Sequence, residues 1–403
     1  MTDPASTSDR EQMSPQRREL LERLLRQRRA GSVLAGPARD APAAAEPARP
    51  NPPAVSLFFF SADLDDSPAD KYRLVLRCAE LADELGLHAV WVPERHFDAF
   101  GAPYPSPAVL LAAIAARTRR IRLRAGSVVL PLHDPLLVAE QWGVLDALSG
   151  GRTALSLASG WHANDFVLDP GSYQRRKQVL VERLEILRDL WAGKSVQRTG
   201  PDGRPVETQV FPRPAKEPEV WMTSSGNPDT WRAAGELNQH VLTALLEQSV
   251  EEVARKVELY WNARTQAGHL TADRHVTCML HTHLAEHEED VTPRVRGPLG
   301  RYLSAHMNLF EKFAANQDLG IRPQDVSEAD RALLLEHGLQ RYLHQAGLFG
   351  TVESCRPMVD RLTAAGVTEL GCLVDFGLPD DDVIECVRQL GRLQQRLREP
   401  SEA

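Results

Sequence analysis

Apolar residues along this chain fall into short, nearly continuous runs that alternate with longer segments of helical spacing. Eight runs have the length and the β-branched or aromatic content of buried strands. They are residues 55–60, 88–93, 121–130, 153–159, 219–223, 240–245, 276–284 and 369–376. Strands that are apolar on both faces are typical of a parallel sheet covered by helices.

The segments between these runs have the periodicity of amphipathic helices. Between the first two runs, Leu74, Cys78, Leu81 and Leu85 share one helical face, and a second helix is predicted over residues 179–191. Eight strand–helix units in one chain predict an α/β fold, a (β/α)8 TIM barrel. An open doubly wound sheet would produce similar local patterns.

The domain organisation follows from where the alternation of predicted strands and helices begins and where it is interrupted. Residues 1–53 are predicted to hold a short amphipathic helix (14–31) and an Ala/Pro-rich linker, and the barrel is predicted over 54–403. Between strands 7 and 8, residues from about 286 to 350 are charged and helical in pattern, which predicts an insertion. Because it follows a strand, the insertion is expected at the carboxyl end of the barrel, as a lid or as a decorative or dimer-forming element.

Composition excludes several function classes. The formal net charge is −8 and no basic stretch dominates the main body, which argues against nucleic acid as the main ligand. The 5 cysteines form no CxxC pair, so a disulfide framework or a zinc site is not expected. The N-terminus is polar and acidic, and no apolar run is long enough to span a bilayer, so we expect a cytoplasmic protein with no membrane partner.

Four polar clusters follow predicted strands, where active sites of such barrels lie. The chemistry-bearing residues are Glu94, Arg95, His96 and Phe97; Gly126 and Ser127; Ser159, Gly160, Trp161, His162 and Asn164; and Ser224, Ser225, Gly226 and Thr230. Each cluster also has a structural interpretation: a salt-bridged turn, a strand kink, a capped βα turn and a plain helix N-cap, respectively. Small residues at a helix N-terminus can bind phosphate, because amide N–H groups and the helix dipole converge there.

Two other chemistries have little sequence support. No GxSxG motif or Ser–His–Asp order is present, so hydrolase chemistry is not indicated. His281 and His283 alternate on one face of the seventh strand, but no third ligand is evident and we predict no metal site.

Taken together, these segments resemble the bacterial luciferase-like monooxygenases from about residue 55 to 390. The resemblance is carried by WVPERHF (91–97), AGSVVLPLHDPLLVAEQWGVLDALSGGR (125–152), SLASGWHANDF (156–166), VWMTSSGNPDTWRAAG (220–235), FGTVESC (349–355) and the last strand through LVDFG. The GWHANDF and TSSGNPDTW segments look closest to the branch found in polyketide and nonribosomal-peptide pathways. That branch includes a monooxygenase domain of mupirocin synthesis.

The resemblance implies particular site residues. Ser224, Ser225, Gly226 and Thr230 would hold the phosphate of FMN. Gly126–Ser127 matches a position where the family has a non-prolyl cis peptide against the flavin ring, and Ser159 and Gly160 would line the ring or the ribityl chain. The catalytic histidine of luciferases aligns with Arg95, whereas His96 aligns with its neighbour. This departure leaves Glu94, Arg95, His96 and His162 as catalytic candidates, and Phe97, Trp161 and Asn164 as substrate contacts.

The resemblance also implies chemistry and partners. Reduced FMN (FMNH2), supplied by a separate flavin reductase, would react with O2 to a C4a-hydroperoxide that hydroxylates a carrier-protein-bound acyl or aminoacyl group. An acyl or peptidyl carrier protein and a second copy of the chain, as a homodimer, are the expected partners. Two other interpretations stay open: a deazaflavin-dependent dehydrogenase or reductase of the same fold, and a catalytically silent docking domain of an assembly line.

Overall fold

The computed structural model describes residues 51–61, 68–101, 103–246, 248–269, 275–316 and 328–399. The helix predicted over 14–31 and most of the linker after it lie outside the described residues. Residues Met1–Arg49 and Pro50–Ala403 separate into two units, and everything below concerns the second.

The predicted strands form a closed parallel barrel. Its members are β1 (Ala54–Phe58), β2 (Ala89–Val92), β3 (Arg122–Val129), β4 (Thr153–Ala158), β7 (Glu219–Thr223), β8 (His240–Ala244), β9 (Val276–Leu284) and β11 (Glu369–Leu373). Neighbours pair in the order β9-β11-β1-β2-β3-β4-β7-β8, and β8 pairs with β9 to close the ring. All eight predicted strands are confirmed, although the last ends at Leu373 and not at Phe376. The TIM-barrel prediction is therefore confirmed, and the open sheet is excluded.

The described residues form ten α-helices, of which eight cover the outside of this ring and two, the seventh and eighth, lie in the segment between β9 and β11. They are α1 (Pro68–Leu85), α2 (Pro107–Arg117), α3 (Pro135–Ser149), α4 (Arg176–Trp191), α5 (Pro228–Glu236), α6 (Val250–Gln266), α7 (Glu288–Asn316), α8 (Glu328–Arg341), α9 (Arg356–Ala364) and α10 (Asp380–Arg398). Their apolar faces bury against the strands: in α4, Leu180, Leu184, Leu187 and Trp191 are all buried, as their spacing predicts.

The interior of the barrel is closed by a buried polar network near the amino ends of the strands. Glu369 accepts hydrogen bonds from Ser56 Oγ at 2.6 Å, Trp91 Nε1 at 2.9 Å and Thr277 Oγ1 at 3.1 Å. It also forms an ion pair with the fully buried Arg124. A buried charge is tolerated when it is paired and hydrogen-bonded in this way. These side chains fill the barrel interior near the amino ends of the strands. A ligand site is therefore expected at the opposite, carboxyl end.

The interval between β9 and β11 contains α7, α8, a π-helical turn (Tyr342–Ala346) and a short strand β10 (Gly347–Gly350). Its helical character is as predicted, but β10 was not predicted and pairs in parallel with the end of β9. Tyr302 of α7 lies edge-on to His281 at 4.8 Å and to Phe100 at 5.0 Å. The insertion therefore contacts both the end of β9 and the loop after β2, at the carboxyl end of the barrel.

A small antiparallel hairpin, β5 (Val196–Thr199) with β6 (Pro205–Thr208), lies outside the barrel and was also not predicted. The five cysteines are all buried free thiols. Within the described residues, no helix is both long enough and apolar enough to cross a membrane.

Candidate active site

The four predicted polar clusters lie on one side of the barrel rim. Three of them follow β2, β4 and β7, and Gly126–Ser127 lies within β3; these four strands are consecutive neighbours in the ring. Because the carboxyl ends of parallel strands meet at one edge, clusters far apart in sequence come together there. The structure thus brings these four segments into one region.

Glu94, just after β2, is the centre of the first cluster. Its side chain is buried, and Oε1 lies 2.6 Å from His96 Nε2 and 2.5 Å from His133 Nε2. Oε2 accepts a hydrogen bond from the backbone N–H of Val129 at 2.8 Å. Burial raises the pKa of Glu94, but the hydrogen bonds from His133 and His96 outweigh it and leave the pKa below its usual value. Glu94 is therefore a carboxylate shared by two imidazoles.

His133 is a site residue that the sequence analysis did not select. It follows β3 and precedes α3, and it reaches Glu94 from 39 positions further along the chain. One nitrogen or oxygen atom from each of Glu94, His96 and His133 lies within 4.8 Å of the others, a spacing that could also hold a metal ion.

Arg95 and His162 are joined by a common carboxylate. Arg95 Nη1 lies 2.6 Å from both oxygens of Asp165, and His162 Nδ1 lies 3.2 Å from Asp165 Oδ1. Since a carboxylate only accepts, Nδ1 of His162 carries the hydrogen of this contact. Nε and Nη2 of Arg95 and Nε2 of His162 are buried without a hydrogen-bond partner among the described residues. Such atoms in a native fold call for an explanation in ligand binding or catalysis.

The predicted substrate contacts are partly exposed at the same rim. Trp161 is 42% exposed and lies 5.8 Å from the Arg95 guanidinium, whereas Asn164 is exposed on the following 3-10 turn. Phe97 is 63% exposed and has a φ of 50°, in the left-handed region that bulky residues rarely adopt. Of these three side chains, Trp161 contacts the buried Arg95–Asp165 pair.

The peptide bond between Gly126 and Ser127 is cis, in agreement with the family resemblance. A Cβ atom at Gly126 would lie 2.9 Å from ring atoms of both Phe58 and Trp91, so close packing requires glycine here. The strand register also shifts between Gly126 and Val128, the bulge that a glycine within a strand often marks. Ser127 Oγ hydrogen-bonds to Thr223 Oγ1, which links the predicted second and fourth clusters.

Ser159 and Gly160 follow β4 and are both partly buried. Gly160 has a φ of 75°, and a Cβ there would lie 2.8 Å from Val129 Cγ1 and 2.9 Å from the ring of Phe166. The backbone of this turn therefore approaches the strand-3 end more closely than any side chain would allow.

The turn before α5 has the geometry of an anion site. Ser225 and Gly226 are exposed, and α5 begins at Pro228 with Asn227 as its N-cap. Ser224 is different, because its N–H bonds to Leu242 O at 2.9 Å and its hydroxyl bonds to Asn227 O at 3.2 Å. Ser224 therefore shapes the turn, and Ser225 and Gly226 are left to present their backbone to a ligand. Thr230 lies half-buried in the first turn of the helix.

Lys256 is a second residue that sequence reasoning missed. Its Nζ lies 3.8 Å from where a Cβ of Gly226 would be and donates to Gln248 Oε1 at 2.6 Å. Gln248 is itself held by Thr243 Oγ1 at 2.8 Å and Ala244 O at 2.6 Å. Burial lowers the pKa of Lys256. In the part of the chain that the structure describes, Lys256 forms no ion pair with a carboxylate, which leaves its charge available to an anion.

His281 and His283 do not join the four clusters. His281 lies among the rings of Tyr302, Tyr342 and Phe376, at centroid distances of 4.8, 5.0 and 5.8 Å. His283 is buried, and burial lowers its pKa to about 4. The pair packs under the insertion.

Fold and site together define a (β/α)8 barrel with an exposed turn of small residues after β7 and a buried carboxylate–imidazole cluster after β2. The sequence matches the family described as "Luciferase-like monooxygenase" over residues 54–369. The chain belongs to this family.

Named relatives differ in substrate and cofactor. The chain is 27% identical over 248 residues to the oxygenase component of a flavin-dependent trigonelline monooxygenase of Acinetobacter baylyi, covering 58% of this chain and 66% of that protein. It is 34% identical over 167 residues to the 4-hydroxyprotoasukamycin monooxygenase of Streptomyces nodosus subsp. asukaensis, covering 40% and 44%. An F420-dependent glucose-6-phosphate dehydrogenase of Amycolatopsis mediterranei is 27% identical over 164 residues, covering 38% and 48%. The chain thus spans about two thirds or less of these relatives.

A solved structure shows the same fold. The oxygenating constituent of 3,6-diketocamphane monooxygenase from Pseudomonas putida, in complex with FMN, superposes with a TM-score of 0.67 at 20% identity. The alignment covers 86% of this chain and 97% of that one.

Proposed function

We propose that this protein is an FMN-dependent monooxygenase that hydroxylates a carrier-protein-bound acyl or aminoacyl intermediate of polyketide or nonribosomal-peptide biosynthesis. The observation that carries the cofactor assignment is the exposed Ser225–Gly226 turn, with the Lys256 ammonium 3.8 Å from the position of a Gly226 Cβ. A phosphate dianion suits backbone N–H groups at a helix N-terminus and a nearby cation without an ion-pair partner.

The rest of the rim fits a flavin extending from that phosphate. Ser225, Gly226 and Lys256 would hold the phosphate, and the backbone at Ser159–Gly160 and Gly126–Ser127 would line the ribityl chain and ring. When bound, reduced FMN supplies the electrons that activate O2. Several relatives use F420, so the same rim has to be tested against both cofactors.

The chain's own residues have separate roles in this proposal. His96, oriented by Glu94, moves a proton at the reacting atoms. His162 and Arg95, both held by Asp165, contact the substrate with Nε2 of His162 and with the N–H groups of Nε and Nη2 of Arg95. Tyr302 of α7 contacts the loop after β2, which supports a role for the insertion as a lid that excludes water from the rim.

Substrate and partners are inferred from chemistry and from relatives. A thioester acidifies the α-carbon of a carrier-bound acyl group, and an electrophilic oxygen attacks such an electron-rich centre; N-hydroxylation and insertion beside a ketone are the alternatives. The relative from Streptomyces is a monooxygenase of a natural-product intermediate. The relative from Acinetobacter is named as an oxygenase component, which supports a separate flavin reductase as a partner here.

Comparing FMN with riboflavin tests the phosphate site. Lys256→Gln should weaken FMN binding by about tenfold or more and leave riboflavin binding unchanged, because only FMN carries the phosphate. Arg255→Gln is the matched control, since Arg255 is the exposed neighbour on α6. Ser225→Asp should weaken FMN in the same way through charge repulsion, whereas the neutral Ser225→Asn should not. Equal FMN affinity in all four variants would remove this turn from the cofactor site.

The reaction itself is tested with the full chain, reduced FMN, ¹⁸O2 and acyl groups loaded on carrier protein. A mass increase from one ¹⁸O atom in the acyl group supports monooxygenation. Tight binding of F420 with no FMN binding, and no oxygen incorporation, would identify the chain as a deazaflavin-dependent dehydrogenase.

A further inference from the structure

We propose that Glu94, His96 and His133 form a binding site for Zn²⁺, and that the bound ion inhibits the enzyme. The inhibitory effect rests on the proposed function, in which His96 moves a proton, whereas binding of the ion does not depend on it. The three residues lie in two loops, after β2 and after β3, so no metal-binding motif marks them in the sequence. They come together because these two strands are paired in the barrel.

The potential ligand atoms meet at a single carboxylate oxygen. Oε1 of Glu94 lies 2.6 Å from Nε2 of His96 and 2.5 Å from Nε2 of His133, and one ligand atom from each residue lies within 4.8 Å of the others. Two imidazole nitrogens and a carboxylate oxygen are a common set of zinc ligands, with a fourth position left to water or a small ligand. Mg²⁺ and Ca²⁺ prefer oxygen ligands. The ligand set therefore favours Zn²⁺ over these ions.

Binding of the ion requires only a small outward movement of the two rings. Ligand atoms around one tetrahedral Zn²⁺, each at about 2.0–2.1 Å, are about 3.3 Å apart, so each Nε2 would move from Oε1 by less than about 1 Å. The His133 side chain is 32% exposed and can move toward solvent. His96 is 11% exposed, and its ring lies 5.5 Å from that of the exposed Phe97. Zn²⁺ would thus replace the hydrogen atoms of the two hydrogen bonds.

The groups that carry the ligands are held in place on both sides of the site. Oε2 of Glu94 accepts a hydrogen bond from the N–H of Val129 at 2.8 Å, which fixes the position of Oε1. Nη1 of Arg183 donates to the carbonyl oxygens of Pro131 and His133 at 2.8 and 2.9 Å. A hydrogen bond to the ligating carboxylate is typical of metal sites. Because these groups are already ordered, less free energy is lost in organising them around an ion.

Local charge also favours a divalent cation. Imidazoles bind metal as neutral rings, so Glu94 would supply the one negative charge among the ligands. Arg183 is paired with Asp169 at 2.7 Å, and Arg95 is paired with Asp165 at 2.6 Å. The positive charges of these two arginines are therefore compensated, and they do not repel an incoming ion strongly.

Zn²⁺ at this position would stop the role proposed for His96. An imidazole that binds a metal ion through Nε2 cannot bind a proton at that atom, so the ring no longer alternates between its charged and neutral forms. The ion also occupies Oε1 of Glu94, the atom that orients the ring. Inhibition should therefore follow occupancy of the site and disappear when a chelator removes the ion.

The first test needs no cofactor. Flavin-free protein is stripped with EDTA, desalted and titrated with Zn²⁺ in competition with a coloured chelator. We expect one tightly bound Zn²⁺ per chain in the wild type and at least about hundredfold weaker binding in His133→Asn, since loss of a ligand should cost more than loss of its outer partners. His287→Asn, which removes an exposed histidine just before α7, is the matched control and should bind like the wild type. Equal affinity in wild type and His133→Asn would overturn the site.

Co²⁺ in place of Zn²⁺ reports the ligands themselves. In the wild type we expect the strong visible absorption of a four- or five-coordinate ion and paramagnetically shifted NMR signals from two imidazole rings. His133→Asn should lose the signals of one ring, while its near-UV circular dichroism shows that the fold is retained. The weak absorption of six-coordinate Co²⁺ in the wild type, without shifted imidazole signals, would place the ion elsewhere and overturn the proposal.

The last test measures product in a single turnover with chemically reduced FMN, O2 and carrier-bound acyl groups, which leaves the reductase out. Saturating Zn²⁺ should slow the wild type by at least about a hundredfold, as for loss of a general acid or base, and EDTA should restore the rate. The rate of His133→Asn should not respond to the same Zn²⁺ concentration. Full wild-type turnover with Zn²⁺ bound would overturn the inhibitory role. If the wild type oxygenates no substrate even without Zn²⁺, the proposed function fails, while the chelator and Co²⁺ measurements still decide the site.

Discussion

At the scale of single residues, the site is organised by two carboxylates that each hold two basic groups. Glu94 joins His96 and His133, whereas Asp165 joins Arg95 and His162. In the first pair the His96 side chain is 11% exposed and that of His133 is 32% exposed, whereas the second pair has buried atoms without a hydrogen-bond partner among the described residues. The proposed function assigns different roles to the two clusters, and it therefore predicts different defects for loss of His96 and loss of His162.

We expect His96→Ala to slow the oxygen-transfer step by roughly 10²-fold or more, as for loss of a general acid or base. We expect His162→Ala to keep oxygen consumption but lose coupling, so that hydrogen peroxide is released in place of product. Simultaneous assays of O2 uptake, peroxide and product distinguish the two outcomes. Wild-type turnover and coupling in both variants would show that neither side chain has the assigned role.

Sequence reasoning found His96 and His162 but missed His133 and Lys256, for a physical reason. The first two lie within short clusters of polar residues directly after strands, a signal that one segment contains by itself. His133 contacts Glu94, which lies at the end of a different strand, and Lys256 lies close to the turn before α5. Contacts between distant segments leave no local sequence pattern. The position of His133 after a strand, in LPLHDP, was the one local signal that could have marked it as a site candidate.

At the scale of elements, one buried carboxyl group, that of Asp375, connects the segments that follow the first and last barrel strands with the loop after β2. Asp375, after β11, accepts hydrogen bonds from the N–H of Phe60 at 2.7 Å and from Tyr104 Oη at 2.6 Å. Burial raises the pKa of Asp375 from 3.8 to about 6, against the opposing effect of these hydrogen bonds.

This raised pKa predicts a specific pH dependence of stability. Between about pH 4 and pH 6 the folded protein retains the Asp375 proton while the unfolded chain loses it, so stability falls as pH rises. The shift corresponds to ~3 kcal/mol, present in full below pH 4 and lost above pH 6. Urea unfolding of wild type and Asp375→Asn at pH 4.5 and 7.5 isolates this contribution, since other groups titrate alike in both. A difference between the two proteins that is the same at both pH values would contradict it.

The barrel strands were predictable because each is apolar on both faces, and a closed ring of eight leaves few alternatives. The β5–β6 hairpin was not, because its residues, VQRT and PVET, are polar and mostly exposed. The strand β10, GLFG, is only four residues long, and it is stabilised by pairing with the end of β9. Short elements that depend on tertiary pairing have too little periodicity of their own to be recognised.

At the scale of the whole molecule, α2 and α3 leave an apolar face uncovered. Its large members are Val109 of α2, which is 70% exposed, and Leu137, Val144 and Leu148 of α3, which are 59%, 47% and 61% exposed. The three residues of α3 follow one helical stripe, and α2 packs beside α3. Large exposed apolar side chains on two adjacent helices are typical of a protein interface.

We therefore expect a second copy of this chain to cover the face, as the homodimer prediction requires. A twofold axis through the α2–α3 face would pack each stripe against its own copy, the self-complementary arrangement of most homodimers. In sedimentation, the wild type should have about twice the 44.7 kDa mass of one chain. Val144→Glu with Leu148→Glu should yield the single-chain mass with FMN affinity retained, because the face lies outside the cofactor rim. Val206→Glu, on the exposed hairpin, is the matched control and should remain dimeric; a monomeric wild type at micromolar concentration would rule the interface out.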